Sequence, residues 1–156
     1  MSNDMLTELR QTRPFAHPEE ELYLSLIRTA DLLQRQVNDL LKGAGISHAQ
    51  YNVLRILRGA GSEGLPCGEI GARMVTRDPD VTRLLDRLVQ RGQVERGRGA
   101  GDRRVVSARI TAEGLALLES LDAPVRDMHR KHLGFMKPEE TGRLLEDLAR
   151  VRANLK

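Results

Sequence analysis

Apolar residues between Glu19 and Lys42 recur at three- and four-residue steps: Leu22, Leu26, Ile27, Ala30, Leu33, Val37, Leu40 and Leu41. That spacing predicts a long amphipathic helix with one buried stripe, ended by Gly43 and Gly45. Ser47, with Gln50 three residues on, has the form of a capping box opening a second helix with the stripe Val53, Leu54 and Leu57. Gly59 to Gly61 stop it. Leu65 reads as one short strand, and Pro66 fits the first turn of a helix carrying Ile70 and Met74. Asp78 and Pro79 then read as N-cap and first residue of a helix running to about Arg91, with Val81, Leu84, Leu85 and Leu88 on one face. Two short helices separated by Val75 to Asp78 make a helix-turn-helix candidate.

Beyond Gly92 the period changes. Gln93 to Arg96 and Val105 to Ile110 read as two short strands joined by the loop Gly97 to Arg103. Thr111 caps a helix with Leu115, Leu118 and Leu121 on its buried side, running to His132 with a kink or restart at Pro124. Pro138 opens a last helix bearing Leu144, Leu145, Leu148 and Val151. The fold class expected is mainly α with a small β-hairpin wing: a winged helix-turn-helix flanked by long N- and C-terminal dimerisation helices. Residues 1–18, with Pro14 and Pro18, form an N-terminal arm. Residues 19–156 form a single domain, with dimerisation helices at 19–45 and 112–156 and a DNA-binding winged helix at 47–111.

Charge sharpens this outline. From Arg73 to Arg109 there are ten arginines against five acids, a net +5 in a chain whose total is +3. A cationic surface confined to one helix and a hairpin suits duplex DNA, which accepts a helix in a groove. On the helix from Pro79 the apolar residues point inward, which leaves Thr82, Arg83, Asp86, Arg87 and Gln90 outward. Arg83, near the N-terminal turns that enter a major groove deepest, can bond guanine O6 and N7 together. Thr82 and Arg87 suit phosphate oxygens, and Arg77, just ahead of the helix, joins them. On this helix alone an ordinary solvated face explains the same residues. The hairpin adds a Gly-rich tip with Arg98, Arg103 and Arg104, able to enter a narrow minor groove. Asp102 beside them suits pairing with Arg104, fixing its guanidinium.

The segments Ala44-Gly45-Ile46-Ser47-His48-Ala49-Gln50-Tyr51-Asn52-Val53-Leu54, Asp80-Val81-Thr82-Arg83-Leu84-Leu85-Asp86-Arg87-Leu88 and Asp102-Arg103-Arg104-Val105-Val106, followed by Ile110-Thr111-Ala112-Glu113-Gly114, resemble the MarR family of bacterial transcriptional regulators. The likeness covers about residues 20 to 155. It implies an obligate homodimer built from the terminal helices, each subunit presenting one winged helix to a palindromic operator. It also implies a repressor released by a small phenolic or lipophilic effector, and a wing in which Asp102 orients Arg104 towards the minor groove. By the same resemblance Tyr23, His48 and Tyr51 border the effector pocket, though each also fits ordinary packing. Two departures stand out. Asp78-Pro79-Asp80 occupies a stretch where many members carry small hydroxyl residues, and capping is the reading favoured for these acids. The family's oxidant sensors place a cysteine near the start of the first helix, and this chain has none there.

Other chemistries find little support. Aromatic residues are 3% of the chain, too few for a base-stacking platform. No nucleophile elbow, H-E-x-x-H or P-loop occurs, and Gly97-x-Gly99-x-x meets Asp102 where a dinucleotide loop needs glycine. An enzyme is therefore not expected, nor is a cofactor. His129 and His132 have a spacing that could ligate a metal, but no third ligand accompanies them. Cys67 is the single cysteine, which excludes an internal disulfide and fits a reducing cytoplasm. No apolar run approaches the ~20 residues of a membrane span, and residues 1–18 lack a signal-peptide core. Two alternatives remain beside the regulator: a winged-helix protein-interaction module, and a redox-responsive regulator acting through Cys67.

Overall fold

A computed structural model describes residues 5–78, 80–98 and 106–156. Residues up to His48 and those from Ala49 onward form two compact units. In the first, α1 (Met5–Glu8) packs on α2 (Pro18–Lys42). A short helix thus lies inside the stretch expected to be an extended arm. Met5 is buried, and Glu8 comes within 3.9 Å of Arg28. Pro18 starts α2, where its missing N–H costs nothing. Gly45, in the left-handed region at φ 70°, lies just beyond its end.

The second unit holds α3 (His48–Ala60), a 3-10 turn (Gly61–Glu63), β1 (Leu65–Pro66), α4 (Cys67–Arg73), α5 (Val81–Gln90), β2 (Val94–Arg98), β3 (Val106–Ile110), α6 (Ala112–Leu133) and α7 (Pro138–Asn154). The antiparallel sheet has the order β1-β3-β2. Leu65 pairs with Ala108, and Val94 to Arg98 pair with Ile110 to Val106 in reverse order. Leu54, Leu57, Ile70, Leu85, Leu88, Val94 and Leu118 are almost wholly buried and form the core. They come from α3, α4, α5, β2 and α6, so the wing shares its buried apolar residues with the helices.

Thr111 joins the wing to α6. Its hydroxyl donates to the Gly92 carbonyl at 2.6 Å and accepts from the Gly114 N–H at 3.2 Å. Its own N–H donates to the Gln93 carbonyl. Gly92, at φ 70°, ends α5 with paired bonds from Gly92 N–H to Val89 and from Gln93 N–H to Leu88. Pro124 does not interrupt α6, which runs unbroken to Leu133. Only one ladder bond is lost there, and buried Leu121 and Val125 flank it. Farther along, Arg58 of α3 forms a two-pronged ion pair with Asp122 of α6, at 2.8 and 3.0 Å. The Arg58 hydrogen bond holds the Asp122 carboxyl below its ordinary range.

α7 buries none of its residues, and Leu144, Leu145 and Val151 remain open to solvent. On α2 the same holds for Leu22, Tyr23, Ile27 and Leu32. Two helices with such apolar faces need a further surface to cover them.

Gly114 is required by contact rather than conformation. A Cβ there would run into the Gln93 carbonyl and meet Ile110 Cγ1 at 2.7 Å. Alanine gains about 1 kcal/mol of helix propensity over glycine, but overpacking against fixed backbone costs about 1–3 kcal/mol. Gly114→Ala should therefore lower the thermal midpoint, and an unchanged or raised midpoint in a calorimetric scan would show that the junction is looser than described.

Candidate nucleic-acid interface

α5 is positioned by its leucines. Burial of Leu85 and Leu88 turns one face of the helix into the core, and Thr82, Arg83, Arg87 and Gln90 lie exposed on the other. Among the described residues no carboxylate pairs with Arg77, Arg83 or Arg87. The helix starts two residues later than the sequence pattern indicated. Asp80, not Asp78, is the N-cap: its Oδ1 accepts from the Arg83 N–H at 3.0 Å. Asp78 stands one step earlier, its Oδ1 accepting from the Asp80 N–H at 2.8 Å. The turn bond to Asp78 leaves Asp80 free to take the capping place, so both acids serve the backbone. Pro79 lies outside the described residues.

The turn before α5 is held from α3. Asn52 Oδ1 accepts from the Val75 N–H at 2.9 Å, pinning the connection between the two helices. Val75 itself is 82% exposed. Nothing in the periodicity marks Asn52, because its partner is a backbone group whose approach depends on the assembled fold.

The wing adds a second cationic element. Alternation along β2 puts Arg96 and Arg98 on one strand face, and Arg96 reaches α5, forming a 2.7 Å ion pair with Asp86. The same nitrogen donates to the Thr82 carbonyl at 3.4 Å. Arg98 pairs across the ladder with Val106 and is exposed. On the opposite face Arg109 lies 3.5 Å from Glu95. The expected contacts Asp102, Arg103 and Arg104 lie outside the described residues. Arg77, Thr82, Arg83, Arg87 and Arg98 are thus exposed within one helix, its preceding turn and the strand after it.

Cys67, half-buried at the start of α4, has its sulfur 3.6 Å from the Thr82 hydroxyl. Both line a cleft of about 250 Å³ with Leu85, Arg96, Val106, Ser107 and Ala108. Of the residues expected beside an effector pocket, Tyr51 is a core side chain with Arg55 above its ring, while Tyr23 is exposed on α2. Burial lowers the pKa of His48. Among the described residues no three metal-binding side chains come together.

The MarR family model matches residues 46–106, which span α3, α4, α5 and β2. The chain is 31% identical over 120 residues to the transcriptional repressor MdtR of Bacillus subtilis, covering 77% of this chain and 76% of MdtR. The chain belongs to the MarR family. Its fold agrees with MarR-family structures. One is Sco3205 of Streptomyces coelicolor in complex with DNA, at TM-score 0.81 and 25% identity over 94% of each chain. Another is a MarR transcription factor of Planctomyces limnophilus, at TM-score 0.66 and 37% identity, covering 90% of this chain and 98% of that one. The acidic start of α5 is a capping arrangement in which Asp78 and Asp80 each accept a backbone N–H.

If Asp80 acts through its cap, Asp80→Ala should destabilise the protein by about 1 kcal/mol, while Asp80→Asn retains the bond at little cost. Denaturant titrations that place both variants equally low would show that the charge, not the cap, matters.

Proposed function

We propose that this MarR-family chain is a sequence-specific, double-stranded-DNA-binding transcriptional regulator that works in the cytoplasm as a homodimer. The observation that carries the reading is the exposed face of α5. It presents Thr82, Arg83 and Arg87 on a helix whose other face is locked into the core by Leu85 and Leu88. Arg83 reads a base edge in the major groove, where its fork fits guanine. Thr82, Arg87 and Arg77 take phosphates, and Arg98 tracks the backbone beside the wing. Asp102, Arg103 and Arg104 lie outside the described residues; by their sequence resemblance to the family we assign them to minor-groove contact, Asp102 serving to orient Arg104.

Two copies are needed to read a palindrome. The apolar residues left open on α2 and on α7 supply the covering surface, so residues 19–45 and 112–156 act as dimerisation helices and 47–111 as the DNA-binding part. Repression is the mode favoured by the name of MdtR, and a small phenolic or lipophilic effector is the expected release signal. No helix among the described residues is long and apolar enough to cross a membrane, and the family likeness is to regulators rather than enzymes.

The test is a footprint on intergenic DNA followed by affinity measurements on the protected site. Two half-sites about 10–10.5 bp apart are expected for recognition helices on one face of the duplex. Affinity should fall steeply with salt, by about 0.9 in log–log slope per phosphate neutralised. Arg83→Ala should relax preference at one position by about 1–3 kcal/mol. Arg98→Ala should weaken all sequences alike. Absence of any discrete footprint, with binding to an acidic protein instead, would favour the protein-interaction module.

A further inference from the structure

We infer that Arg96 and Asp86 form a clasp that sets the wing against the recognition helix, making both positioning residues for operator binding rather than DNA contacts. The inference rests on the DNA-binding reading above. Arg96 sits in the middle of β2, opposite Ala108 of β3. One of its terminal nitrogens lies 2.7 Å from Asp86 Oδ1 and 3.4 Å from the Thr82 carbonyl. Those two acceptors are four residues apart, one turn of α5. A single planar guanidinium therefore bridges successive turns of the recognition helix from the wing, and its rigidity makes the bridge directional.

The pair is too exposed to matter much for global stability, with side chains 36% and 49% accessible. Its effect lies in geometry and charge placement. Asp86 belongs to the same face of α5 as Thr82, Arg83 and Arg87. A lone carboxylate there would repel phosphate, and the guanidinium of Arg96 cancels it. Arg96 in turn is already neutralised, so it adds nothing to counterion release when DNA binds. What the pair supplies is a fixed spacing between the helix that enters the major groove and the strand that carries the wing.

This separates the clasp from simple electrostatics by sign. Removing the negative charge of Asp86 should tighten DNA binding if charge alone counts. It should weaken specific binding if the clasp counts. The experiment uses the full chain, the footprinted operator and a scrambled duplex of equal length, titrated over a salt series. The proteins are wild type, Asp86→Asn, Arg96→Gln and the double variant, with thermal melts run alongside to confirm folding.

The expected result is a loss of about three- to fivefold in operator affinity for each single variant, the ceiling for an exposed ion pair. The double variant should lose no more than either single, because both act through one interaction. Affinity for the scrambled duplex should hardly change, and the salt slope of Asp86→Asn should not fall. Tighter operator binding by Asp86→Asn, additive losses, or a slope lowered by about 0.9 in Arg96→Gln would overturn the clasp. Wild-type protein that fails to prefer operator over scrambled DNA would overturn the DNA-binding reading and the clasp together. Wild-type preference shared undiminished by every variant would overturn the clasp alone.

Discussion

The burial of Leu85 and Leu88 is the constraint on which the interface depends. A ten-residue helix such as α5 is marginal by itself, because nucleation costs more than so few turns return. Two leucines taken fully out of water contribute about 1.5–3 kcal/mol each, which stabilises the helix and at the same time chooses its rotation. With the apolar face fixed, the polar face has no freedom to turn away. Arg83 and Arg87 are displayed as a consequence of packing elsewhere. The ends are set with similar economy, by Asp80 at the start and left-handed Gly92 at the finish.

The acids of the basic segment would weaken a polyanion site if left exposed, and the four among the described residues are engaged within the protein. Asp78 and Asp80 accept backbone N–H groups at the head of α5. Asp86 is paired with Arg96 and Glu95 faces Arg109. Within the basic segment Arg77, Arg83, Arg87 and Arg98 have no carboxylate partner among the described residues, and they lie on α5, its preceding turn and β2. Uncancelled positive charge is thereby gathered on the surface proposed above to meet DNA, although the whole chain carries only +3.

Much of this was legible before any coordinates. The helical periods located α2, α3, α5, α6 and α7, since a stripe repeated over several turns is a strong signal. Thr111 and Gly92 were readable as cap and stop. The start of α5 was misplaced because Asp-Pro is a good opening and Asp80 an equally good one; the bond from Asp80 N–H to Asp78 decides between them. α1 was not foreseen, since four residues are too short to show a period. Asn52 and the Arg96–Asp86 pair were invisible for another reason. Each joins segments that only the tertiary fold brings together, and a charge alone does not name its partner.

The most direct test of the central claim is methylation interference on the footprinted operator. Premethylating guanine N7 blocks a major-groove contact, whereas methylating adenine N3 blocks the minor groove. The account predicts that guanine N7 methylation within each half-site prevents binding by the wild type and that Arg83→Ala becomes indifferent to one of those guanines. Interference confined to adenine N3, with guanine methylation tolerated throughout, would contradict the placement of α5 in the major groove.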